Sequence, residues 1–223
     1  MPIQDAWLDF IRLETVVKRK GCHLIVFAKA PIPGQVKTRL IPSMGATGAA
    51  ALHEKLVLHC LANAVDAGVG PIELWCTPDT GHPFFIHCAM EFQIKLHTQP
   101  DGDLGRRMGC AFSEILKRAS SALLMGTDCP SLTQIDLREA SEAFVRGMDA
   151  VIGPAEDGGY VLLGLRQYNP EVLTDISWGT ESVLNQTRCR LRTLGWRWHE
   201  LSERWDVDRS EDKERLILEG YFT

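Results

Sequence analysis

A three-layer α/β/α sandwich around a mostly parallel, mixed sheet is the expected architecture of this chain. Short apolar runs of strand length alternate with longer segments of helical period, the rhythm of βα units that cover a sheet on both faces. The first run, residues 23–28, is almost continuously apolar, as a strand buried on both sides must be. Two later runs are separated by little more than Asp157-Gly158-Gly159, a hairpin signal that adds an antiparallel element.

Taken in order, the elements follow from their spacing. After the first strand a proline- and glycine-punctuated loop spans 29–43. Leu52, Leu56, Leu61 and Val65 share one helical face over 46–67, and Gly68 and Gly70 stop that helix. Residues 72–77 and 92–97 read as strands with only a short helical turn between them. A helix capped near Asp103 runs to about Ala119, and the next strand, 122–125, ends just before Asp128. Thr133 with Asp136 three positions on has the form of a capping box, opening a helix to Arg146. Strands at 150–153 and 160–165, a helix from Thr180 to about Leu194, a strand at 196–201 and a last helix from near Ser210 complete the pattern. No repeat or linker-like stretch divides residues 21–223, so one domain is expected there. Ahead of it, Trp7, Leu8, Phe10, Ile11, Leu13, Val16 and Val17 mark 1–20 as an amphipathic helical extension that packs on the domain or on a partner subunit.

Composition excludes several classes of function. The 223 residues carry 24 basic and 29 acidic side chains, a net charge of −5, where a nucleic-acid binder would show a basic surplus. The seven cysteines include no C-x-x-C pair, which suits a reduced, cytoplasmic protein. No apolar stretch is long enough to span a bilayer. His53, Glu54 and His59 lack the H-E-x-x-H spacing of a zinc hydrolase, and no G-x-S-x-G nucleophile motif occurs.

Five segments can carry chemistry. Asp128 follows an apolar run, with Gly126 before it and Pro130 preventing the strand from continuing. Strand carboxyl ends line the ligand crevice of open α/β sheets, so this carboxylate faces a metal or polar substrate; capping a helix is the blander alternative. The loop 29–40, directly after the first strand, offers Lys29, Lys37 and Arg39 with Gly34 and two prolines, a set suited to a polyphosphate. It is not a P-loop, since Val36 stands where a glycine must precede the lysine and Pro42 follows too soon for an uninterrupted helix. Residues 100–108 alternate glycine with acid ahead of a helix, where backbone N–H groups could hold an anion or a nucleobase edge; Asp101 and Asp103 equally make a turn and cap. Glu156-Asp157-Gly158-Gly159-Tyr160 sets two acids at a hairpin turn that requires neither. Trp205-Asp206-Val207-Asp208 puts two carboxylates on one side of an extended segment, a grip for Mg²⁺ or Mn²⁺. There too, Asp208 or Ser210 could instead cap the last helix.

In this order the segments resemble the DUF2064 family, arsenosugar-biosynthesis-like glycosyltransferases of the GT-A nucleotide-diphospho-sugar transferase superfamily. The resemblance rests on Phe27-Ala28-Lys29-x-Pro31-x-Pro33-Gly34-x-x-Lys37-Thr38-Arg39-Leu40, Gly102-Asp103-Leu104-Gly105, Gly126-Thr127-Asp128-Cys129-Pro130-x-Leu132, Pro154-Ala155-x-Asp157-Gly158-Gly159-Tyr160, Trp178-Gly179-Thr180 and Asp206-Val207-Asp208. Guanylyltransferases for phospholactate and for the molybdenum cofactor share the plan. The family's last motif usually reads Asp-x-Asp-Thr, and here Arg209 follows Asp208. The resemblance implies a GT-A-like fold with a nucleotide over the first strands, at Ala28, Lys29, Gly34, Lys37, Thr38, Arg39, Gly102, Asp103, Gly126 and Thr127. It implies Mg²⁺ or Mn²⁺ on Asp128 and on Asp206 or Asp208. It also implies an acceptor beside Asp157, Gly158, Gly159, Trp178 and Thr180.

Metal-dependent transfer from an activated nucleotide is then the expected reaction, with Asp128, Asp157 and Lys37 as its catalytic groups. From a nucleotide-diphospho-sugar, a nucleoside diphosphate leaves and an acceptor hydroxyl needs a base, for which Asp157 is the candidate. From a nucleoside triphosphate, pyrophosphate leaves and an ionised phosphate acceptor needs no base. The family's label favours glycosyl transfer. Nucleotidyl transfer stays open, as does a non-catalytic nucleotide- or sugar-phosphate-binding module that dimerises through its N-terminal helix. The expected partners are a nucleotide-sugar or nucleoside triphosphate and a small-molecule acceptor, without nucleic acid or a membrane span; a homodimer is left open.

Overall fold

The structure, a computed structural model, describes residues 20–221; apart from Lys20, the amphipathic extension expected over 1–20 lies outside the described residues. β1 (Lys20–Lys29) leads through a loop and a 3₁₀ turn (Thr38–Leu40) into α1 (Ile41–Ala67). There follow β2 (Ile72–Thr77), α2 (Pro83–Phe92), β3 (Lys95–Thr98), α3 (Leu104–Ile115), β4 (Ala119–Met125) and α4 (Gln134–Val145). The chain then continues through β5 (Ala150–Pro154), β6 (Tyr160–Leu165), α5 (Val183–Thr193), β7 (Trp198–Glu200) and α6 (Ser210–Leu218). Among the described residues the strands form one seven-stranded sheet in the order β3-β2-β1-β4-β6-β5-β7. Within it β6 alone runs antiparallel to its neighbours, β4 and β5. The Asp157-Gly158-Gly159 turn supplies that reversal, so the mixed sheet is the one the sequence predicts.

Strand periodicity divides the core into two layers. Leu24, Val26 and Ala28 of β1 pack on the face covered by α1, α2 and α4, whereas Ile25 and Phe27 pack on the face covered by α3 and α5. Leu24, Ile25 and Val26 are all fully buried, each contributing about 1.5–3 kcal/mol of burial. A consecutive apolar run is therefore the correct signature of this central strand.

Several element boundaries differ from expectation. Between β2 and β3 stands a ten-residue helix, α2, rather than a short turn. The His82 ring accepts the Phe84 N–H, Pro83 opens the first turn, and Gln93 in the left-handed conformation (φ 53°) closes it. Phe92 is thus helical, and β3 begins only at Lys95. α3 ends at Ile115 and β4 starts at Ala119, its early residues tied to β1 where the Ser120 hydroxyl donates to the Gly21 carbonyl. α5 begins at Val183, since the Thr180 hydroxyl is spent on the Ser177 carbonyl and on Ser182. β7 is shorter than expected, Trp198–Glu200. The 46–67 helix carries an added first turn from Ile41, broken at Gly45 (φ 73°, ψ 163°). That break agrees with the sequence argument against a P-loop.

From β1 the chain builds outward through β2 to β3, then returns to β4 on the other side of β1. Where strand order reverses in this way, a crevice opens at the carboxyl ends of the two central strands.

Candidate active site

The crevice is a cavity of about 630 Å³ whose lining includes Ala28, Lys29, Lys37, Thr38, Arg39, Gly126, Thr127, Asp128 and Asp208. These residues come from the end of β1, the loop after it, the end of β4 and the segment before α6, so the fold brings together four of the five segments singled out from sequence once Leu104 and Arg107 of α3 are added. Gly34, Gly102, Asp103, Asp157, Gly158, Gly159, Trp178, Thr180 and Asp206 are not in the lining.

The basic and acidic loops hold each other in place. Lys37 adopts a left-handed backbone (φ 48°), uncommon outside glycine and typical of a functional constraint. Its ammonium lies 2.5 Å from Asp128 Oδ1 and donates to the Val207 carbonyl at 2.6 Å. The Val207 N–H donates in turn to the Asp128 carbonyl at 2.8 Å, and Arg39 pairs with Asp208. The side chain of Lys37 is 5% exposed while that of Asp128 is 54% exposed, so the pair keeps a carboxylate edge open to the cleft.

Packing explains why the acidic segment presents its acids. Trp205 and Val207 are buried with Leu40, Leu52, Leu56 and Leu216, which turns the alternate residues Asp206 and Asp208 to the other side of the extended chain. Arg204 anchors the segment through a bidentate pair with Asp136. Asp136 also completes the predicted capping box with Thr133.

Charge in the site is unevenly neutralised. Burial acts to raise the Asp128 carboxyl, but Lys37, then His53 and Lys29, outweigh it and hold the group below the ordinary carboxylate range. Asp206 goes the other way: burial first, then the charges of Asp128 and Asp157, push it up to about 7. A carboxyl driven up by neighbouring carboxylates marks negative charge that a cation would relieve. The oxygen-only set of Asp128, Asp206 and Asp208 suits Mg²⁺ or Mn²⁺. Among the described residues no three His, Cys, Asp or Glu side chains stand close enough to hold an ion alone. Mg²⁺ usually completes one or two carboxylates with substrate phosphates and water, so the residues fit such an ion.

A pH dependence follows. The Asp206 carboxyl binds its proton more tightly in the folded than in the unfolded chain. The stability it contributes is therefore complete below about pH 4 and lost as pH rises through 7. In metal-free buffer Asp206→Asn is expected to exceed the parent by roughly 4 kcal/mol at pH 8 and to match it near pH 4. Urea melts at the two pH values check this, and a gap that fails to grow with pH would remove the buried carboxyl from the argument.

The residues expected on the acceptor side stand together outside that lining. Asp157 Oδ1 accepts the Gly159 N–H at 2.9 Å, which pins the carboxylate in the turn. Gly158 sits at φ 84°, and a Cβ there would come within 2.3 Å of the Glu181 carbonyl oxygen. The turn thus packs directly on the Trp178–Glu181 loop. Trp178 closes on the start of α3, where a Cβ on Gly105 would lie 2.8 Å from its Nε1, and meets Tyr160 edge-on. Gly158→Ala is expected to cost about 2 kcal/mol or more, read as a lower midpoint in thermal melts, with Gly179→Ala, which meets no neighbouring atom, losing less.

At Asp103 the capping alternative holds, and three residues of the cavity carry no sequence signal strong enough to single them out. Asp103 spends its carboxylate capping α3, accepting the Arg106 N–H at 2.8 Å. His53, buried on α1, bonds the Lys29 carbonyl through Nε2 at 3.0 Å and sets Nδ1 3.8 Å from Asp128 Oδ1. Burial lowers its pKa against the pull of Asp128. Gln99 donates its amide nitrogen to the carbonyls of Trp75 (2.8 Å) and Ala28 (3.4 Å), which fixes the amide and leaves its oxygen as an acceptor. Arg107 lines the same cavity and donates Nε to the Gly102 carbonyl at 2.9 Å. The one sequence signal for Gln99 was its place at the carboxyl end of a strand.

The family model described as "Uncharacterized protein conserved in bacteria (DUF2064)" matches residues 60–180. No curated protein matches the chain in sequence. Among solved structures, a presumed nucleotide-diphospho-sugar transferase of Desulfovibrio desulfuricans G20 is 30% identical over 84% of this chain and 82% of its own, with a TM-score of 0.77. CMP:2-keto-3-deoxy-manno-octonic acid synthetase, solved with CTP, is 12% identical over 89% of this chain and 98% of its own (TM-score 0.57). Rv0371c of Mycobacterium tuberculosis H37Rv, solved with manganese, is 18% identical over 89% and 99% (TM-score 0.56). The last two share the fold alone.

Proposed function

The chain belongs to the DUF2064 family and has the nucleotide-diphospho-sugar transferase fold, and from that premise we propose that it is a metal-dependent glycosyltransferase acting from a nucleotide-diphospho-sugar onto a hydroxyl acceptor. The observation that carries this reading is the segregation of charge. Lys29, Lys37, Arg39 and Arg107 line the cavity, a surround suited to a diphosphate. The hairpin turn offers Asp157 instead, close enough to Asp206 to act on its titration, while its neighbour Glu156 is paired with Arg215. An ionised phosphate acceptor would meet carboxylates there, whereas a neutral hydroxyl would meet a base. This favours glycosyl over nucleotidyl transfer.

A divalent cation on Asp128 and Asp206, with Asp208 beside them, would offset the charge that grows on the leaving diphosphate. Lys37 and Arg39 exchange their carboxylate partners for phosphate oxygens and add fixed positive charge. Asp157, held by the Gly159 N–H, accepts the proton of the attacking hydroxyl. The Gln99 carbonyl oxygen is the acceptor this reading assigns to the nucleobase. Fold relatives solved with CTP and with manganese support a nucleotide and a metal in this architecture.

The test is incubation with Mg²⁺, a panel of nucleotide-sugars and nucleoside triphosphates, and hydroxyl or phosphate acceptors. Nucleoside diphosphate release that depends on a hydroxyl acceptor is expected. Pyrophosphate release would replace the reading with nucleotidyl transfer, and binding with neither product would leave a binding module.

A further inference from the structure

One buried polar atom of the cleft has no partner. His53, on α1, lines the cavity and its side chain is only 5% exposed, yet its Nδ1 makes no hydrogen bond. The other ring nitrogen is committed. Nε2 lies 3.0 Å from the Lys29 carbonyl oxygen, which can only accept, so Nε2 carries the proton. In the neutral ring the lone pair is then on Nδ1, and it faces Asp128 Oδ1 at 3.8 Å. Two acceptors confront each other with no proton to share. The Lys37 ammonium answers the oxygen at 2.5 Å and leaves the nitrogen unmet. A buried acceptor so placed is costly unless a ligand supplies what it lacks.

We propose that His53 Nδ1 is a direct ligand of the divalent cation, alongside Asp128, and that this nitrogen makes the site prefer Mn²⁺ to Mg²⁺. The inference rests on the metal of the proposed reaction and adds a nitrogen to its carboxylates. Reach permits it. Two atoms each about 2.1 Å from one ion are about 3.0 Å apart at right angles and about 4.2 Å apart in line, and the observed 3.8 Å falls between. The ring is also set up as metal-binding histidines are, its far N–H held by a backbone carbonyl that fixes tautomer and orientation. That carbonyl ends β1, and Asp128 follows β4, so α1 and the two central strands converge on this point. His53 and Asp128 make a partial shell, which substrate phosphates and water complete. Imidazole suits transition metals, whereas Mg²⁺ favours oxygen.

The test reads the metal rather than turnover. In the full chain with Mn²⁺ and inorganic pyrophosphate, pulsed electron paramagnetic resonance is expected to show a nitrogen bound directly to the ion. Calorimetry is expected to give Mn²⁺ about tenfold tighter than Mg²⁺. His53→Gln puts an amide where Nε2 was, which keeps a donor for the Lys29 carbonyl and removes Nδ1. It is expected to lose the nitrogen signal and to weaken Mn²⁺ about tenfold, with Mg²⁺ changed by less than about threefold. Its melting temperature in chelator is expected to stay within about 2 °C of the parent. Bound Mn²⁺ without a nitrogen signal, or with one that His53→Gln retains, would overturn the ligation and leave the metal-dependent reaction standing. Equal weakening of both metals with a lower melting temperature would reduce His53 to a structural residue. Absence of any Mn²⁺ binding would remove the metal from the proposed reaction as well.

Discussion

Asp128→Asn is expected to lower turnover by about 10³-fold and to abolish the effect of Mg²⁺ on nucleotide affinity. The sign comes from the ion pair. Asp128 is the counter-ion of Lys37 at 2.5 Å and keeps an edge open to the cleft. The amide preserves shape and an acceptor for Lys37 but removes the charge that a divalent cation needs. Lys37 then offers its full charge to a phosphate, so affinity without metal stays equal or tightens, while affinity with metal falls to the same value. Calorimetric titration of a nucleoside diphosphate in Mg²⁺ and in chelator reads both quantities. An unchanged Mg²⁺ enhancement would take Asp128 out of the metal site. Folding is expected to lose about 1–2 kcal/mol, less than a fully buried pair would cost, because Asp128 is 54% exposed.

How much of this was legible in sequence depended on how local each cause is. Asp128 was legible because an apolar run, Gly126 and Pro130 fix the end of β4 within a few residues. The Thr133–Asp136 capping box was legible for the same reason. The second duty of Asp136, holding Arg204, was not, since the partner lies 68 residues away. Gln99 is the clearest case. A glutamine after a strand carries no pattern of its own, and it becomes fixed only when the carbonyls of Trp75 and Ala28 arrive from neighbouring strands. α2 was underestimated because its buried residues Phe84, Phe85 and Cys88 cover barely two turns, too few to show a helical period. Lys37 was read as a phosphate ligand on charge and position. The contact with Val207, 170 residues on, shows that it also ties the basic loop to the acidic one.

That double role makes Lys37→Met the most discriminating variant of the site. Methionine keeps the length and the apolar stem of the side chain and leaves the left-handed backbone of residue 37 no more strained than before. It removes the donor to the Val207 carbonyl and the partner of Asp128. The carboxylates of Asp128, Asp206 and Asp208 then face one another with Arg39 as the main remaining cation. Mg²⁺ alone is expected to bind about tenfold more tightly, because the competing ammonium is gone. A nucleoside diphosphate is expected to bind about tenfold more weakly, having lost a charge-assisted contact. Turnover is expected to fall by about 10²–10³-fold. In chelator the fold is expected to lose about 2 kcal/mol from the unpaired carboxylate, most of it restored by Mg²⁺. The opposite movement of the two affinities is the decisive reading. A purely structural lysine would weaken both ligands together, and a pure phosphate ligand would leave the affinity for Mg²⁺ alone unchanged.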